Sequence, residues 1–233
     1  MFNFSSDRYP IHFPSLKDSF TLYKEVSKQY TDLYILNSVR QLIPATILKL
    51  NNDELLKTVL QWFKNDFMDW VPKDPICKTC NRPMNIKLIN GNSWRLRKTE
   101  LHSCKLCGSQ QIFPRYGEIV KIVESRRGRC SEWSMLFGAI LNSLSFPSRI
   151  VHDYLDHCWN ESLIGGKWVH IDPTLDYPIS FNHPHYYEQN WGKKYEYVLA
   201  FSANSVEDVT QTYTEHWNAV KLRRKLNNNT INI

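Results

Sequence analysis

No stretch of this sequence approaches the ~20 consecutive apolar residues that cross a bilayer. The apolar runs are short, residues 136–141 among the longest, so no transmembrane helix and no membrane insertion are expected. The first eight residues show no basic segment ahead of an apolar one, so no secretory signal is expected. No internal repeat is visible. Charge of one sign is scarce too: the net excess is +6, spread along the chain, and its densest clusters are Arg126, Arg127, Arg129 and Lys221, Arg223, Arg224, Lys225. So modest an excess reads as solvated surface, and no nucleic-acid partner is expected. A chain with 42% hydrophobic and 22% charged residues is not disordered, and 233 residues can bury a real core in one to two domains.

Rings are abundant, with 8 Trp, 12 Tyr and 11 Phe. Such residues pack cores, and Trp and Tyr also line carbohydrate and peptide grooves, where a flat apolar face stacks while the polar edge bonds.

The six cysteines divide by spacing. Cys77-x-x-Cys80 and Cys104-x-x-Cys107 are two paired turns separated by 23 residues. Two such turns can close a tetrahedral thiolate site, which suits a structural Zn2+ whose filled d-shell accepts that geometry without redox chemistry. A redox C-x-x-C pair is the rival reading, but it would want a βαβ neighbourhood, and none is evident. With four thiolates filling the site, no position is left for catalysis at the metal.

Cys130 and Cys158 stand outside this scheme. After Cys130, residues Trp133, Leu136, Phe137, Ile140, Leu141 and Leu144 recur at helical spacing, and Gly128 allows a turn just before. Cys130 is therefore expected at the start of a buried helix, where free N–H groups, the dipole and three nearby arginines favour a thiolate. An inert buried cysteine is the other reading, and the local pattern leaves both open. Cys158 reads as a small buried hydrophobe.

Residues 149–162 and 167–172 read as a hairpin joined by Leu163-Ile164-Gly165-Gly166. In that register His157 lies opposite Asp172, Trp159 opposite His170 and Glu161 opposite Trp168, all on one face with Val151, Asp153 and Leu155. Ile150, Tyr154, Cys158, Val169 and Ile171 take the core face. A histidine beside a carboxylate, with a thiol at a helix start, outlines a nucleophilic triad.

Three segments carry a resemblance: Arg127-Gly128-Arg129-Cys130-Ser131-Glu132-Trp133, Asp153-Tyr154-Leu155-Asp156-His157-Cys158-Trp159 and Trp168-Val169-His170-Ile171-Asp172-Pro173. Together they resemble the catalytic blocks of the cytoplasmic peptide:N-glycanases, a family of the transglutaminase-like superfamily. Residues 191–202 and 208–210 resemble its next block, and the cysteine pairs with Phe113-Pro114-Arg115-Tyr116 resemble its zinc segment. The resemblance spans about residues 55–217. It implies an α+β, papain-like or transglutaminase-like core with an inserted four-cysteine zinc-binding segment.

It also implies an amidase that removes N-linked glycans from misfolded glycoproteins. Cys130 would attack the glycosylated Asn side-chain amide, His157 act as base and proton donor, and Asp172 orient it. The Cys130 N–H would be one oxyanion donor, and Trp159 and Trp191 would stack on the first sugars. Implied partners are an unfolded N-glycoprotein substrate and proteasome shuttle proteins at the terminal helices. The implied location is the cytoplasm, with the nucleus as a second compartment, and a monomer is expected. Two rivals are a different thiol amidase or protease on this fold, and a non-catalytic transglutaminase-like binding module.

The sequence departs from the family in three places. Ser131 stands where Gly usually follows the cysteine, and His152 where Trp usually precedes Asp153. Leu175 replaces the Glu that follows Asp-Pro-Cys and contributes to substrate binding, with Asp176 one position on as its stand-in.

The expected layout is N-terminal helices over residues 1–72, a zinc segment over 73–113, the catalytic core over 114–226 and a polar tail over 227–233. Residues 19–42 read as one or two amphipathic helices broken near Pro44. A second helix, capped by Asp53, would end by Pro72. Residues 217–226 read as a basic final helix.

Overall fold

The computed structural model describes residues 13–227. The remainder of the polar tail, residues 228–233, lies outside them. Three helices open the described chain: α1 (Phe13–Gln29), α2 (Leu33–Arg40) and α3 (Asn52–Trp62), the last continued by a π-helical turn at Phe63–Phe67. The first amphipathic stretch is two helices, parted at residues 30–32 and ended at Arg40, ahead of Pro44. Asp32 starts the second of them by accepting the Tyr34 and Ile35 N–H groups at 2.9 and 3.3 Å. α3 is capped by Asn51, which accepts the Glu54 N–H at 3.1 Å, two residues ahead of the expected Asp53.

Next come β1 (Asp69–Trp70) and a small sheet of β2 (Asn85–Asn90), β3 (Leu96–Ser103) and β4 (Gln110–Tyr116), paired in that order and antiparallel. α4 (Ile119–Ser125), β5 (Arg127–Gly128) and α5 (Cys130–Ser143) follow. The main sheet is built from β6 (Ser148–His152), β7 (Cys158–Ile164) and β8 (Lys167–Ile171), with β9 (Leu199–Phe201) and β10 (Val206–Asp208) arriving after α6 (Tyr186–Trp191). Its antiparallel order is β10-β9-β6-β7-β8. α7 (Trp217–Leu226) closes the described chain, where the basic final helix is expected.

α5 runs through the middle. It is buried continuously from Ser131 to Leu141, and a helix apolar on all sides must be covered on all sides. Leu22, Val26, Val39, Val59, Phe63 and Ile119 cover it from the helical side. Ile150, Cys158, Ile171, Leu199 and Phe201 cover it from the sheet. The opposite sheet face carries Val151, Trp159, Val198 and Ala200 against Tyr187, Tyr195, Tyr213 and Val220. The result is a layered α+β domain.

The expected hairpin needs two corrections. Residues 149–162 are not one strand: β6 and β7 pair with each other, Val151 opposite Trp159, across a turn at residues 153–157. The β7–β8 loop is Gly165-Gly166 alone, both at positive φ, as a two-residue hairpin turn requires. Glu161 therefore faces His170 and Leu163 faces Trp168. The slip is two residues, an even number, so every side chain keeps its expected face.

Gly138 marks the closest approach inside this core. A Cβ there would stand 2.4 Å from the Tyr30 hydroxyl and 2.9 Å from Asn160 Nδ2. Tyr30 is held by its bond to the Met135 carbonyl at 3.0 Å. Gly138→Ala is therefore expected to destabilise by about 1–3 kcal/mol in urea unfolding despite its better helix propensity. A stabilised variant would show that Tyr30 can yield.

Candidate active site

α5 begins at Cys130, so the backbone N–H groups of its first turn lack intrahelical acceptors by position. Glu132 fixes that turn by accepting the Arg129 N–H at 3.0 Å. The Cys130 thiol is half-buried, at the end of a helix whose body is core.

His157 reaches the thiol from the β6–β7 turn. Asp153 shapes this turn: its Oδ1 accepts the N–H groups of Leu155 and His157 at 2.8 and 2.9 Å, and Lys193 pairs with its Oδ2 at 2.9 Å. Tyr154 and Asp156 take positive φ values of 56° and 82° to complete the bend. The imidazole Nε2 donates to Asp172 Oδ2 at 2.7 Å, and the ring also hydrogen-bonds Cys130. With Nε2 occupied, Nδ1 is the nitrogen left for sulfur.

Asp172 is fully buried and saturated. Oδ1 accepts from the Thr174 N–H and hydroxyl at 2.8 and 2.7 Å, and Oδ2 accepts from His157 and from the Tyr187 hydroxyl, both at 2.7 Å. Tyr187 thus spends its only proton on Asp172, so His170 Nε2, 2.6 Å from the same oxygen, must be the donor to it. His170 Nδ1 correspondingly accepts the His183 N–H at 3.2 Å. Burial lowers His170 to about 4, which keeps this ring neutral although the Asp172 charge opposes the shift.

The charges follow. A hydrogen bond from the Cys158 thiol, then the hydrogen bond and charge of His157, lower Cys130 to about 5 against the cost of burial. Burial would depress His157, but the charge and hydrogen bond of Asp172 and the sulfur of Cys130 together raise it to about 10. Burial likewise opposes ionisation of Asp172, and the His157 charge overrides it, leaving the carboxyl at about 2. The resting pair is thiolate and imidazolium. The three arginines near Cys130 are not the source of this. Arg126 stacks over Phe67 at 4.6 Å, Arg127 pairs its backbone with Asp69, and Arg129 forks onto Glu100 at 2.7 and 2.8 Å.

The expected sugar-stacking residues separate. Trp159 is wholly buried, its ring 5.8 Å from His157 and 4.7 Å from both Tyr187 and Tyr213. It backs the imidazole and presents no face to a ligand. Trp191 is half-buried and meets His157 edge-on at 5.0 Å, so it does border the open side of the site. Asp176 projects into solvent and pairs with Lys64 at 2.7 Å, so its carboxylate is drawn to the turn after α3 rather than to the triad. Leu175 packs against the Trp159–Tyr187 cluster instead.

The four paired cysteines converge elsewhere. Their sulfurs all lie within 4.8 Å of one another, with Cys80–Cys104 at 3.3 Å, Cys77–Cys107 at 3.5 Å and Cys80–Cys107 at 3.6 Å. A tetrahedral thiolate site with ~2.3 Å metal–sulfur bonds needs separations close to these. The two turns are built alike. Cys77 and Cys104 accept N–H bonds from the second and third residues on, and Asn81 and Gly108 leave each turn at positive φ, 52° and 72°. The donor set and its spacing fit a structural metal ion.

Asp153, Lys193, Tyr187 and the Arg115–Glu132 pair were not singled out from the sequence as site residues. Asp153 in a run taken as strand was the one available signal, since aspartate is uncommon inside a buried strand and common in turns.

A profile of the transglutaminase-like superfamily matches residues 94–173. The chain is similar to curated peptide-N(4)-(N-acetyl-beta-glucosaminyl)asparagine amidases. It is 35% identical to that of Yarrowia lipolytica over 69% of this chain and 47% of the relative. The corresponding figures are 37%, 69% and 46% for Saccharomyces cerevisiae, and 38%, 74% and 27% for Gallus gallus. The chain thus spans less than half the length of these relatives. Among solved structures, a chain from work on β-hairpin motifs in DNA duplex opening by the Rad4/XPC nucleotide excision repair complex superposes with a TM-score of 0.53. It covers 97% of this chain and 58% of that one at 12% identity, a likeness of fold alone. Among the described residues, no helix is long and apolar enough to cross a membrane.

Removing the Tyr187 hydroxyl leaves His170 Nε2–H without its acceptor and Asp172 one donor short, both buried. Tyr187→Phe is expected to cost about 1–3 kcal/mol in urea unfolding. A loss below roughly half a kcal/mol would show that the carboxylate does not depend on this bond.

Proposed function

The chain belongs to the transglutaminase-like superfamily, in the branch of the peptide:N-glycanases, and on that premise we propose that it cleaves the side-chain amide of glycosylated asparagine in unfolded glycoproteins. The observation that carries this reading is the line from half-exposed Cys130 through His157 to fully buried Asp172.

The thiolate of Cys130 attacks the amide carbon. The developing oxyanion faces the first-turn N–H groups of α5, with the Cys130 N–H the nearest donor. His157 gives its Nδ1 proton to the departing glycosylamine nitrogen, and the C–N bond breaks, leaving a thioester on Cys130 and an intact glycan. Neutral His157 then takes a proton from water, which adds to the thioester. The thiolate leaves, and the peptide retains aspartate. Asp172 remains ionised throughout and holds the ring. Trp191 lines the approach and is the residue placed to stack on the first sugar. Reaching Cys130 to within about 3–3.5 Å requires the asparagine to enter between the α5 terminus and the β6–β7 turn. A backbone held in folded structure cannot do so, which is why the substrate is an unfolded chain.

The four-thiol cluster holds Zn2+ in this reading, because a d¹⁰ ion accepts four thiolates in a tetrahedron. Its role is to fold the segment between β1 and α4. None of the six cysteines is in a disulfide, which suits the reducing cytoplasm as the place of action.

The test is incubation with a denatured high-mannose glycoprotein and mass analysis of the product. The expected outcome is released glycan and aspartate at the former site, native substrate far slower, and no reaction with Cys130→Ala. Equal cleavage of native and denatured forms, with the glycan on a structured loop, would refute the steric argument.

The pH profile carries its own sign. The pair is productive only when Cys130 is deprotonated and His157 protonated. Activity should therefore rise through about pH 5 and fall through about pH 10. Cys158→Ala removes the first contributor to the low thiol value and should move the acid limb upward without abolishing activity. An unmoved acid limb would remove Cys158 from the account.

Chelation should release one zinc per chain and unfold the small sheet, because the binding energy of a structural metal is folding energy. Active protein that contains no zinc by elemental analysis would sink this assignment.

A further inference from the structure

The small sheet does more than hold four cysteines at its end. On the face of β3 and β4 turned toward the body, Glu100, His102 and Arg115 are each at most 8% exposed, and Phe113 lies among them at 2%. Arg115 Nε donates to Glu132 Oε1 at 2.7 Å and its Nη2 to Oε2 at 3.2 Å, a two-point fork onto a carboxylate on the first turn of α5. Its Nη1 also reaches Glu100 at 3.3 Å. Glu100 in turn receives both terminal nitrogens of Arg129, at 2.7 and 2.8 Å. The guanidinium groups of Arg115 and Arg129 stand over the Phe113 ring at 5.2 and 5.3 Å. Arg129 immediately precedes the nucleophile, and Glu132 Oε2 accepts its N–H. Arg97, also from β3, adds a second cation to Glu132 at 3.3 Å. So the two residues that bracket the Cys130 turn, one before it and one two positions after, are each gripped by a buried partner from the small sheet.

Resting on the reading of Cys130 as nucleophile, we propose that Arg115 and Glu100 of the small sheet are positioning residues for catalysis, holding the first turn of α5 through Glu132 and Arg129. A helix end without such a grip frays, since its N–H groups lack partners. A planar fork onto a carboxylate fixes orientation as well as distance. The Arg115 guanidinium also feels the charge of the Cys130 sulfur. The segment that looks like a remote staple is thereby tied to the residues on either side of Cys130. β3 runs straight into Cys104 and β4 begins three residues beyond Cys107, so the four-thiol cluster sets the register of the sheet that makes the grip.

Removing one partner alone leaves a buried charge and risks the fold, so the test removes both: Arg115→Met with Glu132→Gln. Arg115→Lys is the conservative companion, keeping charge and losing the fork. Two readouts are taken, the pH profile of Cys130 alkylation by iodoacetamide and the steady-state constants on a glycopeptide. For the double variant the expected result is an alkylation midpoint moved to higher pH and kcat lowered at least about tenfold with KM unchanged, since only positioning is lost. Arg115→Lys should keep the midpoint near that of the unsubstituted protein yet lose several-fold in kcat. A double variant whose alkylation profile and kcat both match the unsubstituted protein overturns the proposal. If the double variant fails to fold, an Arg115→Lys protein with unchanged kcat overturns it equally. Cys130→Ala separates the two readings, because activity surviving there refutes the nucleophile itself, whereas alkylation reports on the grip without any substrate.

Discussion

Everything in this molecule is arranged around one helix that is core along its body and carries a half-buried thiol at its first residue. From Ser131 to Leu141 α5 is buried without a break, yet Cys130 stays partly open to solvent. The two are compatible only if the chain enters the helix at the surface and leaves the surface within one turn. The cost falls on the entry: Arg129, Ser131 and Glu132 are polar groups at the edge of a dry interior, and each needs a partner. Glu132 finds Arg115 and Arg97, Arg129 finds Glu100, and Ser131 finds the Tyr23 hydroxyl at 2.8 Å. The small sheet and α1 are thus recruited to the site by the unsatisfied groups of the helix start.

The buried charges around the site follow one rule, in which desolvation opposes ionisation and a close opposite charge decides the result. Asp172 stays ionised because His157 and three further donors surround it, and Asp153 because Lys193 is 2.9 Å away. His170, equally buried, has only the neutral Tyr187 and a backbone N–H as its hydrogen-bond partners, and there desolvation wins. Two histidines on one sheet face therefore hold opposite charge states. Only the one touching a carboxylate and a thiol is poised to move a proton.

How much of this could be read beforehand divides along physical lines. The α5 pattern, the final helix and the paired cysteines are local signals, and they were legible because a buried helix must repeat its apolar residues every three or four positions. The face assignment of the hairpin was legible as well, since alternation survives an even slip in register. The turn at residues 153–157 was not. Alternating residues there continued the strand pattern, and the bend depends on Lys193, some forty residues away, holding Asp153 in place. Trp159 misled for a related reason: a tryptophan beside a catalytic histidine can face either a ligand or the core. Which one applies is set by Tyr187 and Tyr213, on elements whose placement local pattern does not reveal. The Arg115–Glu132 grip likewise joins two segments whose proximity is a property of the assembled fold.

The departures from the family pattern are not scattered through the site. Ser131 is buried and bonded to Tyr23, whose ring lies 4.9 Å from His152, and the Cys158 thiol approaches Ser131 Oγ at 3.9 Å. His152 itself is held neutral by burial, lowered to about 4, and packs at 4.4 Å against Tyr154. Two of the three substitutions therefore meet through one tyrosine of α1, behind the nucleophile, where a hydroxyl added at one position can be satisfied by a hydroxyl already present at another. The third, Leu175, lies on the opposite sheet face with Trp159 and Tyr187, where an apolar side chain is well received and a carboxylate would need a donor. The back of the site has thus been repacked in a way that preserves the thiol and its partners. At Leu175 an apolar side chain packs against the rings behind His157. Leu175 thus shares the sheet face of His157 and Asp172 through Trp159 and Tyr187, while Ser131 and His152 lie behind the nucleophile on the other face.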